Sequence, residues 1–308
     1  MTATRGRLLL AYITVYLVWG SSYLAIKFAV QSMPAFPMAG ARNLLAGTIL
    51  IVSARLLWGA RGTREQWRAS AIVGMSLMTS NAAVAFSITR IPSGVAALLT
   101  AMTPCWMVLL DWFRNPTQRP ATGTFAGLLV GLIGIAILVG PAELFGADHI
   151  DSLGAAAVLV GTLIWAAGSL YARTAPKPPS AQLMSGMHML CGGTLLFVVS
   201  TALGGWSGFD IGAVTPSSWL GFTYLVLVAS LAGFTAYVYL LTHTTAARAS
   251  TYAFVNPVVA VALGAWFGGE PLTPRIGLAA TIICGAVALI VFAGRKVADT
   301  PVAEEPAA

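Results

Sequence analysis

Few residues in this sequence can do chemistry, and those few lie inside long apolar stretches. Tyr12, Tyr16, Trp19 and Tyr23 recur at steps of four, three and four, which stripes one face of a helix with rings. Further along come Ser80 and Asn81, Thr100 and Thr103 just ahead of Pro104, then Trp165 and Ser169. Ser230, Phe234 and Tyr237 share a helix face, and Tyr252 and Asn256 lie one turn apart. Rings, hydroxyls and amides of this kind hold a small molecule by stacking and hydrogen bonding; they do not by themselves break bonds. A plainer reading lets the hydroxyls bond between helices and the rings pack or anchor at a membrane surface. It suits Trp19 poorly, because that ring lies deep in its segment, and it suits Asn81 and Asn256 poorly, because an amide needs several partners. Trp19, Tyr23, Ser80, Asn81, Thr100, Thr103, Trp165, Ser169, Phe234, Tyr237, Tyr252 and Asn256 are therefore the expected substrate-binding set.

Catalytic chemistry finds little support. His149, His188 and His243 are scattered, and Cys105, Cys191 and Cys284 each fall within an apolar segment. That spacing offers no metal site and no nucleophile paired with a base, and no nucleotide-binding loop is present. No metal, cofactor or catalytic residue is expected, so a membrane-embedded enzyme is the remote alternative.

The elements that must carry these residues follow from composition. Of 308 residues, 57% are hydrophobic and 9% charged, with mean hydropathy +0.82. A soluble domain needs roughly a quarter of its residues charged, so the solvent of this chain is largely lipid. Apolar segments long enough to span a bilayer occur at about 8–29, 34–57, 69–88, 92–112, 121–140, 152–173, 181–203, 217–242, 249–267 and 275–294. Met33-Pro34, Ile91-Pro92, Arg119-Pro120, Lys177-Pro178-Pro179 and Thr215-Pro216 mark breaks between them. The first segment follows Arg5 and Arg7 like a signal peptide, but it is long, retains Lys27 and has no small-x-small cleavage site, so it reads as an uncleaved span.

Charge placement sets the orientation. With the N-terminus inside, thirteen Lys and Arg residues face the cytoplasm and three, Lys27, Arg90 and Arg275, face out. The net charge of +7 thus serves topology rather than nucleic-acid binding, and both termini are expected to be cytoplasmic. Glu65, Asp111, Asp299, Glu304 and Glu305 belong to the inner side; Glu143, Asp148, Asp151, Asp210 and Glu270 belong to the outer. With no acid at a segment centre, the expected passage is uncharged at its middle and transport needs no carboxylate-borne proton. His188, embedded in the seventh segment, reads as a packing residue. Arg42 could meet a substrate carboxylate, but snorkelling to the headgroups or capping carbonyls is the preferred reading.

The two halves echo one another. Trp19 to Lys27 aligns with Trp165 to Arg173, Thr103-Pro104 with Asn256-Pro257, and Pro120 with Pro274, at offsets of 146 to 154. Five spans per half is an odd number, so the second half enters the bilayer from the opposite side. The expected fold is an all-α integral membrane protein of ten transmembrane helices, built as two inverted-topology five-helix repeats around a central cavity. Residues 1–145 form the first repeat, 146–296 the second and 297–308 a polar cytoplasmic tail. Inverted repeats are the architecture of alternating-access carriers. Pro104 and Pro257 each remove a backbone donor, free a carbonyl and read as hinges that also shape their helices. Gly123, Gly127 and Gly131 read as a packing surface inside a monomer.

Together these features resemble the ten-helix EamA branch of the drug/metabolite transporter superfamily, over about residues 8–294. The resemblance rests on Trp19-Gly-Ser-Ser-Tyr23, on Arg42, on the run from Ala247 to Pro257 and on Gly269-Glu270-Pro271-Leu272-Thr273. The corresponding first-half stretch, Asn115-Pro116-Thr117, lacks the Glu of the pattern, so Glu270 receives no role that needs a symmetric partner. The resemblance implies a bacterial inner-membrane exporter of small metabolites, amino acids above all. Efflux of toxic organic cations, by proton antiport, is the alternative it leaves open.

Overall fold

The computed structural model describes residues 5–114, 122–139, 150–243 and 252–298. Every long element among them is helical. In chain order these are α1 (Arg5–Ala29), α2 (Ala35–Trp58), α3 (Arg64–Ile88), α4 (Ser93–Thr100), α5 (Thr103–Arg114) and α6 (Thr122–Val139). The second half holds α7 (Ser152–Thr174), α8 (Ala181–Ala202), α9 (Pro216–Tyr224), a π-helical stretch Leu225–Phe234, α10 (Thr235–His243), α11 (Tyr252–Phe267) and α12 (Pro274–Ala298).

Local chemistry accounts for the helix ends. At the start of α3, Thr63 Oγ1 accepts from the Gln66 N–H and the Gln66 side chain accepts from the Thr63 N–H, so two orphan donors are satisfied. Asp151 Oδ1 accepts from Gly154 N–H at 2.7 Å to open α7. Thr215, with Pro216 in the first turn, opens α9. Gly59, at φ 60°, closes α2 in the left-handed conformation that a side chain would resist.

Seven helical stretches are long and apolar enough to cross a bilayer: Arg5–Ala29, Ala35–Trp58, Arg64–Ile88, Ser93–Arg114, Ser152–Thr174, Ala181–Ala202 and Pro216–Leu240. At 25 residues, α1 rises about 37 Å, more than the ~30 Å of hydrocarbon it must cross. Shorter apolar runs lie at Phe125–Gly134, Val255–Phe267 and Pro274–Ala286. These fall in the fifth, ninth and tenth expected segments, and α12, at 25 residues, is as long as α1. The ninth loses its first residues to 244–251, outside the described set. Also outside it are Asn115-Pro116-Thr117, Ala247 to Ser250, His149, Glu143, Asp148 and the polar tail.

The outward faces carry Leu9, Leu56, Leu129, Val198, Leu227 and Val258, each more than half exposed. Such a belt would aggregate in water and is at ease in lipid tails; the protein is an integral membrane protein. Inside, helices pack through small residues. α2 lies along α8, α6 along α12, α1 along α11 and along the span from α9 to α10, and α7 against α3 and α5. A Cβ on Gly47 would come within 2.6 Å of Leu190 N, and one on Gly186 within 2.8 Å of Ile51. Gly131 and Gly134 face Met102, Ile283 and Ala286 of the same chain.

Candidate functional site

Helix 1.5-Å stepping and the stripe of rings bring α1 to the centre. Trp19 and Tyr23 look inward, whereas Tyr12 and Tyr16 pair with each other at 5.8 Å nearer the N-terminus. A cavity with about 720 Å³ of empty space, its mouth included, lies between α1, α2, α3, α4, α7, the π-helical stretch and α11. Trp19, Tyr23, Ser80, Asn81, Thr100, Thr103, Trp165, Phe234, Tyr252 and Asn256 all line it. Two members of the expected set do not. Ser169 and Tyr237 line a second cavity with Arg173, Lys177 and His188; Phe234 lines both. Ser169 sits one turn beyond Trp165 on α7, and Tyr237 follows the π-helical stretch.

Five rings form a layer where the two cavities meet. Trp19 lies 4.7 Å from Tyr237 and, edge-on, 5.1 Å from Tyr252 and 6.2 Å from Trp165 (centroid distances). Phe234 stands 6.4 Å from Trp19, and Tyr237 is edge-on to Tyr252 at 5.6 Å. Edge-to-face pairs of this kind contribute about 0.5–1.5 kcal/mol each beyond the area they bury.

Other residues of the lining are polar. Arg42, 8% exposed, donates from Nε to Ser230 Oγ at 2.9 Å and lines the cavity. It is therefore turned inward rather than snorkelling, and the cavity lining carries one cationic side chain. A segment boundary fixes depth along a helix but not the direction of a side chain, which is why the sequence misled here. The partner, Ser230, is itself in the π-helical stretch. Asn81 makes only a 3.8 Å contact from its amide to Met78 sulfur, so nearly all its hydrogen-bonding capacity faces the cavity. Other polar groups are already engaged. Thr100 Oγ1 donates to Ala96 O at 2.8 Å, Ser22 Oγ to Trp19 O at 2.7 Å, and the Asn256 amide nitrogen faces the carbonyls of Tyr16 and Tyr252 at 3.2 and 3.3 Å. Ser22, Ile26, Val84, Met189 and Ala229 complete the lining without having been expected; nothing in their residue types distinguishes them from ordinary packing.

Pro104 divides one span into α4 and α5, with a turn at Ala101 and Met102. Its ring removes the N–H that would reach Thr100 O, and Thr103 Oγ1 donates to that carbonyl instead at 2.7 Å. The carbonyl expected to be free is thus capped by the neighbouring side chain. Pro257 sits within a continuous α11.

Glu270, in the loop before α12, closes another part of the structure. Its Oε1 accepts from Ser93 N–H at 2.8 Å and lies 3.0 Å from Lys27 Nζ, and its Oε2 accepts from Gly94 N–H at 3.1 Å. Lys27 also donates to Gly268 O. A carboxylate on the first N–H groups of α4 meets the positive end of the helix dipole. Partial burial alone would raise the Glu270 carboxyl; the Ser93 and Gly94 N–H groups and Lys27 outweigh it and hold it below its ordinary 4.5. This clasp ties α1, α4 and the loop between α11 and α12, and it needs no counterpart in the first half.

Helices of spanning length around a two-sided internal cavity define a polytopic membrane protein with a small-molecule passage. The sequence profile of the EamA-like transporter family matches residues 6–140 and again 152–292, and the chain belongs to that family. It is a multi-pass inner-membrane transporter. A relative from Escherichia coli (strain K12), described as the uncharacterized inner membrane transporter YedA, is 33% identical over 290 residues, covering 91% of this chain and 89% of its own. A probable amino-acid metabolite efflux pump of the same strain is 25% identical over 292 residues, 90% of this chain and 92% of its own. A solved crystal structure at 19% identity superposes with a TM-score of 0.65 over 96% of this chain and 99% of that one, which establishes a shared fold.

Proposed function

We propose that the protein exports small neutral amino acids, aromatic ones included, across the inner membrane by alternating access, as a facilitator moving substrate down its gradient. The observation that carries this reading is that one cavity is lined both by clustered rings (Trp19, Trp165, Phe234, Tyr252) and by polar groups (Arg42, Ser80, Asn81). An amino acid has the same two characters. The printed description of the efflux-pump relative agrees with this substrate class. Tyr23, Thr100, Thr103 and Asn256 complete the proposed binding set, while Ser169 and Tyr237 border the approach through the second cavity.

Ten spans in two inverted repeats, residues 1–145 and 146–296 with the tail 297–308 and both ends cytoplasmic, are part of the same proposal. It is supported by the pairing of helices. α2 on α8 and α6 on α12 join equivalent elements of the two halves, and the contact of α1 with α11 has its mate in that of α7 with α5. Swapping the halves leaves this pattern unchanged, as an inverted repeat requires. Pro104 and Pro257 are the proposed hinges, and the protein works as a monomer. Efflux of organic cations is disfavoured by Arg42, a fixed positive charge at the cavity.

A thermal-shift screen of the purified protein over the twenty amino acids and a set of cationic dyes tests the substrate class. Stabilisation by phenylalanine, tryptophan and other neutral amino acids is the expected result; stabilisation by dyes alone would contradict it.

A further inference from the structure

A buried guanidinium without a counterion demands an explanation. Arg42 is a charged side chain lining the central cavity, and two ion pairs occur among the described residues, Lys27–Glu270 and Arg90–Asp151, neither of which includes it. Of its five N–H donors, the structure spends one, Nε–H on Ser230 Oγ. The terminal nitrogens are not sealed in the protein, since none is a buried atom lacking a partner. They remain at the surface of a cavity whose lining also holds the amide of Asn81 and the hydroxyl of Ser80, which donates to no group among the described residues. Holding a lone charge in a membrane interior costs several kcal/mol unless something arrives to neutralise it.

We infer that Arg42 is the carboxylate-binding subsite of the cavity, taking the carboxylate of a substrate on its terminal nitrogens while the apolar side chain rests on Trp19, Trp165, Phe234 and Tyr252. The assignment rests on the transporter reading above and narrows its substrate to carboxylate-bearing molecules with an apolar arm. Guanidinium and carboxylate match as a planar, two-bond fork, which neither an ester nor an amide reproduces. A single guanidinium suits a monoanion, whereas a phosphate dianion would call for a second cation on the lining. Arg42 also explains a cavity that otherwise has no charge to orient a zwitterion. The amino group of the substrate then lies toward the rings and the Asn81 carbonyl, a setting that cations accept.

The test uses the full chain in nanodiscs and reads binding from intrinsic tryptophan fluorescence, with four probes: L-phenylalanine, L-phenylalaninamide, 3-phenylpropionate and phenethylamine. The first and third carry a carboxylate; the second and fourth do not. Wild type is expected to bind the two carboxylates about tenfold or more tightly than the amide and the amine. R42Q should lose that preference, R42K should keep part of it, and S230A, which removes the tie but not the charge, should keep it. Equal binding of phenylalanine and its amide by wild type would overturn the assignment even if no variant folds. So would an R42Q protein that still prefers carboxylates. Binding of 3-phenylpropionate but not of phenylalanine would leave the Arg42 subsite standing and remove the amino-acid reading; binding of phenethylamine alone would remove both.

Discussion

Trp19 meets four rings of the aromatic layer, Trp165, Phe234, Tyr237 and Tyr252. Replacing it with alanine removes the platform for an aromatic substrate and the partner of four rings, two of them edge-on. W19A should raise the half-saturating concentration of phenylalanine about tenfold while changing that of alanine much less, measured as uptake into proteoliposomes. Glu270 makes a separate prediction. Its carboxyl is held below 4.5 in the folded protein, so the clasp contributes fully at pH values above 4.5 and fades as pH falls through the lowered value. E270Q should melt at a lower temperature than wild type at pH 7, and the two melting curves should converge on acidification. A gap that persisted at the acid end would show that charge is not what holds the clasp. Trp19 and Trp165 were legible in the sequence because each has a mate in the other half. Arg42 was legible as a charge within a span, but its preferred reading as a snorkelling or capping residue missed its inward turn, which goes with a hydrogen bond to a serine 188 positions away. The partners of Glu270 were not legible either: Ser93 and Gly94 offer only backbone N–H groups, which carry no sequence signal.

At the scale of elements, close approach distinguishes one glycine from another. Gly192 of α8 lies on the carbonyl of Gly74 in α3, so a side chain there has no room, whereas Gly285 of α12 has nothing within 4 Å of a would-be Cβ. G192V should therefore abolish a monodisperse peak in detergent chromatography, and G285A should elute as wild type with an unchanged melting temperature. The sequence marks both as glycines in apolar runs and cannot separate them, since the difference lies wholly in what packs opposite. The division of one span into α4 and α5 was foreseeable from Pro104, and its repair by Thr103 depends only on the adjacent residue. The π-helical stretch was not foreseeable: Leu225–Phe234 reads as an uninterrupted apolar helix, and in the structure it packs against α1 and α2. Ser230, the partner of Arg42, lies within it, and Tyr237, which borders the second cavity, follows it.

For the molecule as a whole, composition and the spacing of apolar runs are enough to require a lipid solvent, and the lipid-facing belt of exposed Leu, Ile and Val follows from it. The distribution of thirteen inner against three outer basic residues predicts that reporter proteins fused to either end remain in the cytoplasm. The cavity of the proposed alternating-access cycle is lined by residues of both halves. The central claim is carried movement of a neutral amino acid through that cavity, and counterflow in proteoliposomes tests it most directly. Vesicles loaded with unlabelled phenylalanine at equal pH on both sides should accumulate labelled phenylalanine transiently, and W19A vesicles should do so far less. Accumulation no greater than in protein-free vesicles, or accumulation only under an imposed pH difference, would contradict the account.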